Sequence, residues 1–261
     1  MARRIAVCNQ KGGVGKTTTS VNLAAALALR GGRALLVDMD PQAHATLGLG
    51  VDRSKLPVSV YEAMVEAQRV SDAILKGRAE SLDLLPASVS LAGGEVELID
   101  AEEREYRLDK ALSLVDPDYR YVVIDCPPSL GLLTVNCLVA AQGVLIPVQA
   151  EYLAMEGMSR LLDTINLVRQ GLNLSLAVEG VLITMYSSRL SLAQQVAQEV
   201  RGFFKEQVFD IVIPRSVRLA EAPSFGKTIF GYDGSSAGAQ AYMALADEVL
   251  ERHRRSGEVR G

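Results

Sequence analysis

The feature that most limits what this chain can fold into lies at its start. An apolar run, "RIAVCN" (4–9), enters the loop "KGGVGK", and a helical segment over 16–30 leaves it. The same succession recurs. "RALLVDMD" (33–40), "YVVIDCP" (121–127), "GVLIPVQ" (143–149), "AVEGVLITMY" (177–186) and "VFDIVIP" (208–214) read as buried strands because they are apolar almost throughout. "LDLLPA" (82–87) reads as one more, and helical patterns fill 92–115, 152–171, 190–206 and 237–254. This alternation predicts an α/β fold, a doubly wound and mostly parallel sheet with helices on both faces. Across 261 residues there is no fixed-period repeat, Pro- or Ser-rich linker or low-complexity block, so one domain over 1–261 is expected. Ligands of such sheets sit at the carboxyl ends of the strands.

The first loop has the chemistry of a phosphate cradle. Gly12, Gly13 and Gly15 open backbone conformations closed to other residues and bring N–H groups against phosphate oxygens. The helix that follows points its positive end at the same anion. Lys16 adds a point charge for the outer phosphates, and the Thr17 hydroxyl suits Mg²⁺. The full pattern GxxxxGK[ST] is not met, since Gln10 stands at its opening position. A second lysine, Lys11, stands at the mouth of the same loop.

Two other strands end in acids. "VVIDCPP" runs apolar to Asp125 and breaks at Pro127-Pro128, the arrangement of a carboxylate bound to Mg²⁺ directly or through its water. "LLVDMDPQA" ends with Asp38 and Asp40, and Asp40 precedes a proline and so lies in extended backbone at the strand tip. Asp38 is placed to support the metal's surroundings. Phosphoryl transfer asks mostly for positioning and charge neutralisation, and with no arginine finger in view slow intrinsic hydrolysis is expected.

"KGGVGKTT", with its leading lysine, is the deviant form of the Walker A loop. "LLVDMDPQA", "YVVIDCPPSLGLLTVNCL", "ITMYSSR" and "VIPRSVRLAEAPSFGKTI" follow it in order. Together these stretches resemble the ParA/Soj family of chromosome and plasmid partition ATPases over essentially the whole chain. The resemblance implies ATP and Mg²⁺ as cofactors and an ATP-dependent homodimer. In that dimer Lys11 crosses the interface to the phosphates bound by the other subunit. It places the nucleotide on Lys11, Gly12, Gly13, Val14 and Gly15, and on Lys16, Thr17 and Thr18. It assigns Asp40 to a first switch that positions the attacking water, with Thr17, Asp40 and Asp125 around the metal and Lys11, Lys16, Asp40 and Asp125 as the catalytic set. The backbone near Pro214 and Ser216 would read adenine; Met185 is open to two roles, a lid on the base or simple core packing. Arg189 and Arg218 match positions that bind double-stranded DNA non-specifically, and Lys227 would extend that patch. A ParB-like centromere-binding partner would accelerate hydrolysis.

The chain departs from the family pattern in places. His44 stands where relatives often carry asparagine, and either a polar role in the switch or an exposed loop histidine suits it. Gly234, Ser235 and Ala237 occupy a stretch where some relatives carry extra arginines. The chain enters its first strand almost at once, which suggests the short type without a helix-turn-helix extension.

Charge and cysteines narrow the classes further. A net charge of −4 argues against a protein that coats nucleic acid constitutively, and makes DNA binding that waits for dimerisation the natural expectation. No apolar run approaches the roughly 20 residues of a membrane span. A MinD-like membrane ATPase would share the loop but needs a basic amphipathic terminal helix, and "ERHRRSGEVRG" offers no such face. There the arginines 252, 254 and 255 suit the helix dipole, or a supplementary DNA contact. Cys8, Cys126 and Cys137 lie in apolar surroundings without metal-ligand spacing, as buried thiols of a reducing cytoplasm do. A cytoplasmic, nucleoid-associated protein is expected.

Overall fold

The computed structural model describes residues 1–151, 157–255 and 257, with residues 95 and 96 described by their backbone alone. Among the described residues seven strands form one sheet: β1 (Arg3–Val7), β2 (Ala34–Asp38), β3 (Leu75–Ala79), β4 (Leu82–Leu85), β5 (Tyr121–Asp125), β6 (Gly143–Gln149) and β7 (Ala177–Thr184). Their order is β3-β4-β2-β5-β1-β6-β7, and every neighbouring pair is parallel except β3 with β4. The chain winds from β1 to one side as far as β3, returns through β5, and crosses to the other side at β6. The expected doubly wound fold is the observed one.

The strands are apolar throughout because both faces are covered. On one face helix Lys16–Leu29 and helix Ala237–Arg255 pack over Ile5, Val7, Leu36 and Val123. A hydrogen bond of 3.1 Å between Thr19 and Tyr242 joins the two helices. On the other face helices Arg107–Val115, Leu132–Ala140, Met158–Gly171 and Ser191–Phe204 cover Ala6, Val122, Ile146 and Ile183. Cys8, Cys126 and Cys137 are free thiols buried in this second core, and burial pushes each of them above the ordinary range.

Three expectations meet a different structure. Residues 208–214 form isolated bridges at Val208 and Pro214 rather than a strand. The backbone N–H groups of Asp210 and Ile211 donate to the Glu248 carboxylate on the C-terminal helix, so they are not free for a ladder. The 92–115 segment is interrupted: helix Ser90–Glu97 ends, Glu103 takes a left-handed φ of 50°, and a new helix starts at Arg107. Asn136 sets that restart by accepting from the Leu108 N–H and donating to the Arg104 carbonyl. The helix expected over 152–171 runs Met158–Gly171, and residues 152–156 lie outside the described residues. Among the described residues no helix is long and apolar enough to cross a membrane.

Candidate functional site

The register of the central strands assembles the site. Asp125 stands opposite Val7 of β1 on one side and Asp38 of β2 on the other. The glycine loop, Asp125 and Asp38 therefore share one end of the sheet.

The loop is clamped between strand ends. Asn9 Oδ1 accepts from the Lys11 N–H at 3.0 Å, while Asn9 Nδ2 donates to the Pro147 carbonyl of β6 at 2.6 Å. Thr184 Oγ1, at the end of β7, donates to the Val14 carbonyl at 2.8 Å. Gly13 and Gly15 have φ of 75° and 87°, in the left-handed region that a Cβ disfavours. Gly12 and Gly13 are exposed, and a Cβ on either would meet nothing within 4 Å. The first helix begins at Lys16 with no side-chain cap, which leaves its early N–H groups to an anion. Lys16 is buried, and its Nζ donates to the Lys11 carbonyl at 3.3 Å, across the loop. Lys11, Thr17 and Thr18 are partly exposed around it.

Asp125 is wholly buried, and among the described residues it has no cationic hydrogen-bond partner. Its Oδ1 lies 2.9 Å from the Ser20 hydroxyl, which shares its proton with the Lys16 carbonyl at 3.0 Å. Its Oδ2 is buried and makes no hydrogen bond among the described residues. Burial, together with the charge of Asp38, pushes the Asp125 carboxyl up to about 8, against the pull of the Thr17 and Ser20 hydroxyls. A divalent cation fits this arrangement: a buried carboxylate oxygen lacks a donor, and the Thr17 hydroxyl is close at hand. Among the described residues no cluster of three His, Cys, Asp or Glu side chains could hold a metal alone. A cation here would therefore complete its shell with hydroxyl, phosphate and water oxygens, as Mg²⁺ commonly does.

Asp38 is bonded to its own chain. Its Oδ1 accepts from the Asp40 N–H at 3.1 Å; its Oδ2 accepts from the Thr46 N–H at 2.8 Å and hydroxyl at 2.7 Å. Both oxygens accept from the chain that follows, so Asp38 braces the Asp40 loop. Burial raises its carboxyl to about 6 in spite of those bonds. Asp40, 7% exposed, accepts from the Gln42 N–H at 2.8 Å through Oδ1. Ala43 then turns with a left-handed φ of 54° into the short helix His44–Gly48.

The remaining expected residues divide into groups. Met185 carries a φ of 50°, and its Cε lies 3.9 Å from where a Cβ of Gly15 would stand. Tyr186 bridges to Pro214, and Ser216 caps the short helix Val217–Glu221 by accepting from the Leu219 N–H. The expected base-reading residues are thus joined to the loop through Thr184 and Met185. Arg189 is exposed in the turn after β7. Arg218 is ion-paired to Glu221, three residues on, at 3.0 Å and to the more distant Asp233 at 3.5 Å. Lys227 lines a small cavity of about 40 Å³ with Thr17, Thr18 and the exposed His44, beside the first helical turn. At the C-terminal helix, Arg252 stacks on Phe209 and pairs with Glu248, and Arg255 pairs with Glu251.

Asn9, Ser20, Thr46 and Thr184 are site-building residues that sequence reasoning passed over. Ser20 alone carried a signal, since four residues beyond Lys16 lies on the same helix face.

Comparison with known proteins agrees with this geometry. A family model described as an AAA domain matches residues 2–178. The chromosome partitioning protein ParA of Myxococcus xanthus is 51% identical over 252 residues, 97% of this chain and 89% of that protein. The sporulation initiation inhibitor protein Soj of Bacillus subtilis is 53% identical over 249 residues, 95% of this chain and 98% of that protein. Among solved structures, cobyrinic acid a,c-diamide synthase from Mycobacterium smegmatis, with a bound ATP analog and magnesium, superposes with a TM-score of 0.87. It is 42% identical and covers 98% of this chain and 97% of its own.

Proposed function

The chain belongs to the ParA/Soj family of chromosome-partitioning ATPases, and from that premise we propose that it is an ATP-gated dimer that holds DNA and lets go on hydrolysis. The observation that carries the reading is the pairing of an open glycine loop, crossed by Lys16, with the buried and donor-free Oδ2 of Asp125. The N–H groups of the loop and of the first helical turn bind the phosphates, and Lys16 neutralises the outer ones. Thr17 and Asp125 would hold Mg²⁺, which when bound offsets charge developing on the transferred phosphoryl group. Lys11, at the exposed mouth of the loop, reaches the phosphates of a second copy, so that two facing nucleotides attract both subunits instead of repelling them. Asp40, braced by Asp38, orients the attacking water. Met185, Pro214 and Ser216 enclose the base.

Arg189 and Lys227 supply duplex contacts. Arg218 must first release Glu221 and Asp233, which makes it the weaker contributor. Few cations on a chain of net charge −4 hold a duplex weakly, and joining two copies doubles the phosphates neutralised. Binding along the nucleoid then depends on ATP. A ParB-like partner accelerates an intrinsically slow hydrolysis and frees the subunits.

The test follows mass and DNA retention with no nucleotide, ADP or ATP plus magnesium. Wild type should dimerise and retain duplex with ATP alone. Lys11→Ala should stay monomeric, Asp40→Ala should dimerise and persist on DNA, and Arg189→Ala should dimerise without holding it. A wild type that stays monomeric under saturating magnesium ATP, or binds duplex equally without nucleotide, ends this reading.

A further inference from the structure

Arg53 lies outside every motif, in the turn that follows the short helix His44–Gly48. Its guanidinium is spent on backbone. Nη1 donates to the Gln42 carbonyl at 2.7 Å and to the Pro41 carbonyl at 3.3 Å. Both carbonyls belong to the loop that begins at Asp40. Gln42 links the two side chains directly, because its carbonyl accepts from Arg53 while its N–H donates to Asp40 Oδ1 at 2.8 Å.

The other fastenings of this loop are of a different kind. Asp38 grips the Asp40 N–H and Thr46 from a wholly buried position, and the Thr46 hydroxyl in turn accepts from the Ala87 N–H at the end of β4. Ala43 sits between these points at a φ of 54°, a conformation that a residue with a Cβ keeps only under outside constraint. The loop therefore has a buried root at Asp38 and a fastening at the surface, Arg53, which is only partly buried.

We propose that Arg53 is a positioning residue for hydrolysis: by holding the Pro41 and Gln42 carbonyls it fixes the turn that aims the Asp40 carboxylate. The proposal rests on the reading of Asp40 as the group that orients water. None of the hydrogen bonds of Arg53 reaches the phosphate loop or Asp125, so its removal leaves nucleotide binding alone and lowers turnover. Guanidinium suits the task because its planar donors can serve two carbonyls at once. An ammonium is a point charge, and lysine at this position restores part of the effect.

The experiment compares wild type, Arg53→Ala and Arg53→Lys for steady-state ATP hydrolysis, fluorescent ATP-analogue affinity, thermal midpoint and amide exchange at residues 42–46. Arg53→Ala should lose about tenfold in kcat while nucleotide affinity stays within about twofold, as expected when a reacting group is misaimed but the binding site is intact. Arg53→Lys should fall between the two. The amides of residues 42 and 43 should exchange faster in Arg53→Ala, with the thermal midpoint little changed. A kcat equal to wild type overturns the proposal, and so does a fall in kcat matched by weaker binding and a lower midpoint. If wild type itself does not hydrolyse ATP, the functional reading fails instead, and unchanged exchange at 42–46 would still count against the latch.

Discussion

The two ends of the same sheet treat buried charge in opposite ways. At the end where the strands begin, Arg4 is wholly buried and gives Asp116 two bonds at 2.9 and 2.8 Å, Asp109 one at 2.6 Å and Ser113 one at 3.1 Å. Beside it Glu179 is gripped by Arg3 at 2.8 Å and His253 at 2.7 Å. At the end where the strands finish, Asp38 and Asp125 lie buried side by side with hydroxyl and amide partners but no cationic hydrogen-bond partner. The carboxyl ranges follow the partners: both of these are raised, whereas Glu179 is lowered because His253 and Arg3 outweigh its burial. One end is finished by its own side chains. The other leaves its buried acids without such partners, and perturbed acids of this kind mark a candidate site.

The largest effect should come from the finished end. Arg4→Met keeps apolar bulk but strands Asp116, whose side chain is 5% exposed. Breaking a buried ion pair from one side costs about 3–5 kcal/mol. Urea unfolding followed by circular dichroism should show a loss of that size, with ATP affinity of the folded fraction unchanged. A loss under about 1 kcal/mol would mean that the network adds little and the comparison has no energetic content.

Asp125→Asn should move the other end in the opposite direction. Removing a group positioned for charge developing in the transition state costs about 10²–10³ in rate, or about 2.7–4 kcal/mol. Yet the metal-free fold should gain stability, since a carboxyl raised to about 8 must stay protonated in the fold where the unfolded chain would ionise, at a cost. The sign is fixed by linkage. The native state binds this proton more tightly than the unfolded chain does, so wild type loses stability as pH rises from about 4 to about 8. Melting scans in chelator should show the variant's advantage widening over that window. An advantage that narrows, or a variant less stable than wild type at pH 8, would remove the asymmetry between the ends.

How far the sequence foretold this contrast depends on what kind of partner each residue has. Six of the seven strands were legible because burial on both faces demands apolar residues; β3, with Lys76, Gly77 and Arg78 on an exposed edge, carries no such pattern. Residues 208–214 carry the pattern but lie in contact with Glu248, a pairing that periodicity cannot express. That Lys16, Thr17 and Asp125 come together was legible because phosphate chemistry calls for their types and order. Arg53 was not, because its acceptors are backbone carbonyls, which leave no trace in residue identity. The pairing of Arg218 was hidden for another reason, since one of its two carboxylate partners, Asp233, comes from a later helix. Asp38 was found as a residue, but its hold on the Asp40–Thr46 chain was not legible, since its acceptor bonds to the Asp40 and Thr46 N–H groups leave no trace in residue identity.

The smallest effect, and the finest test of the contrast, is Glu179→Gln. Glutamine keeps the shape of the side chain and can still meet Arg3 and His253, so only the charged character of those bonds is lost, about 1.5–3 kcal/mol at neutral pH. Glu179 is depressed, so its contribution is complete above the ordinary carboxylate range near 4.3 and disappears as pH falls through its lower folded value. The stability gap between wild type and Glu179→Gln should therefore be widest near neutrality and close in acid. For Asp125→Asn the difference has the opposite sign: the variant is the more stable, and wild type falls further behind it as pH rises toward about 8. Denaturant titrations of both variants against wild type from about pH 2 to about pH 8 would put the two slopes on one axis, and like signs would show that both ends handle buried charge in the same way.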